Sequence, residues 1–160
     1  MATEKLKFKL ELWATMWDKP PHAEILINDM SHFKGEITGT EEKPDVIEFE
    51  QELEEGNEYN LIILRSGKDK NQTVVDENGD LLKDQMLNIK SIEIDEIDIG
   101  SLVYEGVYSP EYPEPWASQQ KSAGRELPAT FKNVTQMGHN GEWRFSFKSP
   151  FYMWLLENLY

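Results

Sequence analysis

Cysteine does not occur among the 160 residues, so disulfides, thiol catalysis and thiolate metal sites are all excluded. Positive charge is short as well. Against 30 Asp and Glu stand 16 Lys and Arg, a formal net charge of -14, and such a field repels polyanions unless the few cations gather on one face. Only Lys5, Lys7 and Lys9 gather. They alternate with Leu6, Phe8, Leu10 and Leu12 and read as a solvated strand edge, so neither nucleic acid nor membrane is expected as a partner. No apolar stretch reaches bilayer-spanning length, and Met1 to Lys9 is charged and alternating where a signal peptide would be apolar. Synthesis in the cytoplasm without a signal peptide is the expectation.

Catalytic patterns are scarce too. His22, His32 and His139 stand apart, each beside turn residues, without the spacing of a metal pair or of a nucleophile and its base. They read as surface residues. Ser101, Ser109 and Ser118 lack a glycine elbow, and the glycines form no phosphate-binding loop. Carboxylate pairs abound by number alone, but a small sandwich without deep loops is a poor frame for a glycosidase pair. The chain is therefore read as a non-enzyme.

What is present is large apolar side chains in strand phase. The apolar fraction is 39%, with five Trp and seven Phe, enough for a single domain over residues 1–160 with one core. Leu6 to Met16 alternates as one long strand, closed by Asp18-Lys-Pro-Pro21. Ala23 to Asn28 and Phe33 to Thr38 read as short strands. Val46 to Leu53 and Tyr59 to Ile63 read as a hairpin around Glu54-Glu-Gly-Asn57, the second strand apolar on both faces and hence mid-sheet. Leu87, Ile89, Ile92, Ile94, Ile97 and Ile99 change phase twice, which predicts a bulge or tight turn and two strands joined near Asp95. Tyr104 to Pro128 holds four prolines and reads as a long surface loop. Thr130 to Met137 alternates again, Gly138-His-Asn-Gly141 reads as a hairpin turn with Gly141 suited to a positive backbone angle, and Trp143, Phe145 and Phe147 form an inner face. Ser149-Pro150 reads as the capped start of a helix running to Tyr160. About ten short strands separated by turns predict an all-β, antiparallel sandwich of jelly-roll type with a short C-terminal helix.

Three segments carry candidate sites. In the acidic stretch Asp69, Asp76, Asn78, Asp80 and Asp84, the run Asp76-Glu-Asn-Gly-Asp80 places oxygen donors at alternate positions, as a calcium loop does. Counted from Asp76, however, Leu81 and Leu87 stand where such a loop needs Gly and Glu, and a solvated turn at Asn78-Gly79 is the other reading. Calcium is thus the one cofactor the sequence admits. In the proline-rich stretch, Tyr104, Tyr108, Tyr112 and Trp116 could line a platform for sugar rings or a protein surface, or fold inward over the sandwich end. The terminal helix is almost uncharged, and Phe151, Trp154, Leu155 and Tyr160 need cover from the sandwich or from a neighbouring protein.

The run Asp84-Gln-Met-Leu-Asn-Ile89, continuing through Lys90-Ser-Ile-Glu-Ile-Asp95, resembles the penultimate strand of calcium-dependent xylan-binding carbohydrate-binding modules. The strand Asn60 to Leu64 entering a polar loop is similar in outline to what precedes it there. The resemblance covers residues 46–100; where those modules carry Arg-Asn after the Asp, this chain has Gln85-Met86. It implies a jelly roll, a glycan ligand, and a metal on Asp84 and Asp69 that receives sugar hydroxyls. In general character the chain is also similar to small acidic β-structured virion proteins of tailed bacteriophages. That likeness implies a structural or adaptor protein docked on neighbouring subunits. The functional expectation is a non-catalytic binding module of carbohydrate-binding type, working within a larger assembly; the alternative is the virion adaptor, and a small glycan-active enzyme stands behind both.

Overall fold

A computed structural model of the chain describes residues 2–15, 19–68, 74–75, 77–78, 81–112 and 114–158. Alternation dictates the order of elements. Strands β1 (Thr3–Thr15), β2 (His22–Ile27), β3 (Met30–Glu36), β4 (Asp45–Glu54) and β5 (Glu58–Ser66) come first, followed by the short β6 (Val74–Val75) and β7 (Leu81–Lys83). Then come β8 (Met86–Ile94), β9 (Ile97–Asp98), a 3-10 turn over Gly100–Glu105 and β10 (Val107–Pro110). Helix α1 (Trp116–Ser122), strands β11 (Phe131–Lys132), β12 (Gln136–Met137) and β13 (Gly141–Lys148), and helix α2 (Phe151–Asn158) complete the chain.

Two antiparallel sheets lie face to face. One runs β12-β8-β1-β4 with β9 turned back on β8; the other runs β11-β10-β13-β5-β2-β3. The side-chain period of two sends Leu6, Phe8, Leu10, Leu12 and Ala14 of β1 into the core, where Phe8 lies 6.1 Å from Phe147 of the opposite sheet. This is the antiparallel sandwich with a short C-terminal helix that the sequence predicts. No helix among the described residues is long and apolar enough to cross a membrane.

Several local expectations are corrected. The lysine row is not an edge, because β1 is paired on both sides: Lys5, Lys7 and Lys9 face Glu52, Glu50 and Glu48 of β4, and Lys9 also faces Glu93 of β8. Lys5 Nζ meets Glu50 at 2.9 Å and Lys9 Nζ meets Glu93 at 3.6 Å, cross-strand pairs that fix register while remaining screened by solvent. Nor do β4 and β5 form a hairpin. The acidic outer face of β4 matches the lysines of β1, whereas β5 pairs with β2 and β13 in the other sheet, so Glu55-Gly56 carries the chain across the sandwich. The Gly138–Asn140 segment crosses in the same way, from β12 to β13.

Within the Ile-rich run, both phase changes have a structural cause. Partners step from Leu12↔Ile89 to Glu11↔Ser91, which leaves Lys90 as the bulged residue. Asp95 (φ 54°) and Glu96 (φ 68°) form the two-residue turn to β9, both in the left-handed region that such hairpins demand. The stretch from Tyr104 to Pro128 is not irregular, since it holds β10 and α1. At α2, the cap comes from Glu4 and not from Ser149. The Ser149 hydroxyl donates to Glu4, and that carboxylate from β1 accepts the Phe151 N–H at 2.8 Å, supplying negative charge to the free amides of the first turn.

Candidate functional site

One end of the sandwich gathers aromatic rings over a buried polar layer. Its foundation is the pairing of β10 with β13, which places Pro110 opposite Gly141 and Ser109 opposite Glu142. Gly141 is required by space: a Cβ there would lie 2.4 Å from the Ser109 carbonyl oxygen. That close approach brings the chain after β10 over the 138–140 crossover, where the Glu111 N–H donates to the Asn140 carbonyl at 2.6 Å.

Tyr108 is only 4% exposed, so it belongs to the frame and not to a platform. Its hydroxyl donates to the His139 carbonyl at 2.5 Å and accepts the His139 N–H at 2.9 Å, a double clasp on one residue. Burial pushes the Tyr108 phenol up to about 12, so it stays protonated and able to donate. The clasp presents the His139 ring to Tyr112 and Trp116, with centroids 5.3 Å and 5.5 Å away, and those two rings are 6.1 Å apart. Trp116, at the start of α1, is 37% exposed. Tyr112 is half-buried, with its hydroxyl donating to the Pro128 carbonyl at 2.5 Å.

Beneath the rings lies Arg65, buried because it shares the inward phase of Leu61 and Ile63 on β5. Its guanidinium donates to Asn140 Oδ1 at 2.9 Å, to the Gln85 carbonyl at 2.7 Å and to Gln85 Oε1 at 2.9 Å. Desolvation brings Arg65 down to about 10, which leaves it charged at neutral pH. Lys68 sits beside it, its ammonium 2.7 Å from Asp84 Oδ1 and 2.5 Å from the Gly138 carbonyl. His139 is held below its ordinary value, first by desolvation and then by the charge of Lys68. Its ring is therefore neutral at pH 7, and the surface above the cations is an uncharged aromatic one.

The expected metal set is not brought together among the described residues. Asp84 accepts the Lys68 ammonium at 2.7 Å and the Gln85 N–H at 2.8 Å through the same oxygen, whereas calcium requires six to eight oxygens around a vacant centre. No cluster of three His, Asp or Glu suited to a metal occurs among the described residues. Asn78 is exposed in a turn, and Asp69, Asp76 and Asp80 lie outside the described residues. Of the expected donors, only Asn78 and Asp84 lie among the described residues.

The comparison with known structures follows from this architecture. Over 88% of this chain and 89% of the other, the structure is similar to the selenomethionine form of vCBM60, from work on a circular permutation linking two families of calcium-dependent carbohydrate-binding modules. The TM-score is 0.50 and the sequence identity 5%. The chain shares its fold with a carbohydrate-binding module. At that identity the likeness lies in the architecture and does not extend to site residues. No protein-family model matches the sequence, and no curated protein does.

Of the platform residues expected from the sequence, Tyr112 and Trp116 are brought together, Tyr108 is turned inward, and Tyr104 is exposed without a ring contact to them. Arg65, Lys68, His139 and Asn140 were not anticipated as site residues. A signal for Arg65 existed in its inward phase; His139 gave none, since its ring partners come from a distant segment. The other histidines are built in differently: His32 stacks on Phe49 at 4.3 Å, and His22 lies 3.6 Å from Glu36. At the far end, Phe151 and Leu155 are buried in the chain's own core and Trp154 packs edge-on to Phe145 at 5.7 Å. Phe151 and Leu155 are therefore not free to dock a neighbour, Trp154 is half-buried, and Tyr160 lies outside the described residues.

Proposed function

We propose that this protein is a non-catalytic carbohydrate-binding module that seats a neutral sugar ring on the Tyr112–Trp116–His139 cluster. The observation that carries this reading is the pair of accessible rings held together by the Tyr108 clasp, a surface whose conformation is set before any ligand arrives. Apolar C–H faces of a pyranose stack on aromatic faces, and preorganisation lowers the entropy lost on binding. The net charge of -14 favours neutral glycans over uronate-rich ones. The three rings bring no carboxylate to the sugar, so stacking on them should not require calcium. Calorimetry against a panel of neutral polysaccharides, run with added calcium and with EDTA, tests the reading: binding of equal strength in both conditions is expected, and absence of binding in both would remove it.

A second reading is a structural or adaptor protein seated on neighbouring subunits of a phage virion. One feature favours it: with Phe151 and Leu155 turned inward, α2 leaves Met153 61% and Leu156 64% exposed on its outer side. Replacing both by Glu abolishes assembly if this reading holds and leaves it intact otherwise.

A further inference from the structure

On the outer face of the first sheet, beside β12, lies a cleft of about 340 Å³ lined by Trp13, Asn88, Asn133, Thr135 and Gln136. Three of these form a single cross-strand row, since Trp13 of β1 faces Asn88 of β8 and Asn88 faces Gln136 of β12. The segment before β12 is pinned over this row by the Ile89 N–H, which donates to the Thr135 carbonyl at 2.9 Å, and it turns at Asn133, in the left-handed region at φ 63°.

Asn88 is the anomalous member. It points away from the core with the polar phase of β8, yet it is only 1% exposed. Its Oδ1 has no hydrogen-bond partner, and its Nδ2 reaches only the Trp13 carbonyl at 3.4 Å. A buried acceptor left without a donor costs about 1–3 kcal/mol, so a native structure that keeps one calls for a reason. Leu or Val would fill this position without that penalty. What the row offers is an indole face, a desolvated carbonyl oxygen awaiting a donor, and the exposed amide of Gln136. A sugar matches that combination, with its C–H face on the indole and a hydroxyl as donor to the amide oxygen.

We infer that the Trp13–Asn88–Gln136 row is a second sugar subsite, in which Asn88 Oδ1 accepts a hydrogen bond from a hydroxyl of a neutral glycan. The inference shares with the proposed function only the class of ligand; the two sites have no residue in common. The test is titration of the 15N-labelled full chain with neutral oligosaccharides of the xylo-, gluco- and manno- series, following the indole N–H signals and side-chain amides. The Trp13 indole and the Asn88 and Gln136 amides should shift together. Asn88→Leu should abolish those shifts while leaving the Trp116 response in place, and Gln136→Ala, at an exposed position, should weaken the subsite by about tenfold if Asn88→Leu does not fold. Trp116 shifting alone would overturn the inference and leave the proposed function standing. Shifts at Trp13 and Asn88 alone would do the opposite. If no sugar moves Asn88 and its amide shows contact with water only, the cleft holds a structural water and the inference fails.

Discussion

Two groups of aromatic rings in this molecule have similar spacing and opposite surroundings. Trp143, Phe145, Phe147 and Trp154 are separated by 5.7–6.4 Å between neighbouring centroids, and the first three are sealed in the core. Tyr112, Trp116 and His139 are separated by 5.3–6.1 Å, but none is sealed: Trp116 is 37% exposed and the other two are half-buried. In the first group the ring faces are used up by packing, and the rings contribute through area removed from water. In the second, hydrogen bonds from the Tyr112 and Tyr108 hydroxyls to backbone carbonyls hold the rings in place at the surface, so that part of each stays exposed. Residue type and spacing do not separate a core from a binding surface; what the rest of the chain does to the ring faces separates them.

The contrast can be broken hardest from the core side. Phe147→Ala, which removes the ring shared by Phe8, Phe145 and Phe151, should cost about 3–5 kcal/mol in urea denaturation. Sugar affinity per folded molecule should not change. Tyr108→Phe cuts between the two groups: it leaves the half-buried His139 N–H and carbonyl without the phenol, so about 1 kcal/mol of stability should go, together with a measurable loss of sugar affinity as His139 loosens. Loss of stability with affinity intact would mean that the clasp does not position the site.

The smallest effect is a pH dependence. His139 is held below 6.5 in the folded protein, so both states are neutral above that pH and its contribution is fully present there. As pH falls below 6.5 the unfolded chain takes up a proton first, and stability declines until the folded-state value is passed. The thermal midpoint of the wild type should therefore fall more steeply between neutral and mildly acidic pH than that of His139→Gln. Parallel curves for the two proteins would show that the ring is not desolvated as described.

Much of this architecture is legible in the residues, and the illegible parts share a cause. Alternation in Leu6 to Ala14 states which side of β1 is buried, and the slip between Ile89 and Ile92 announces the Lys90 bulge, because a period of two tolerates no extra residue without a change of face. Phase says nothing about neighbours. Glu54-Glu-Gly-Asn57 and Gly138-His-Asn-Gly141 have the composition of hairpin turns, yet both carry the chain between sheets, and only the partner strands decide that. Tyr112 and Trp116 were readable as loop aromatics. Tyr108 was not readable as buried, since β10 spans only Val107–Pro110 and so short a strand shows no period. His139 acquires its role from rings that the sequence places far away.

Trp116→Ala separates a ring that binds from a ring that packs. In parallel, its urea midpoint and its calorimetric titration with the tightest-binding neutral polysaccharide should be compared with those of the wild type. The expected result is stability within about 0.5 kcal/mol of the wild type and affinity lower by at least about tenfold. Unchanged affinity, or a loss of stability as large as that of Phe147→Ala, would show that Trp116 belongs with the core rings and that no sugar rests on it.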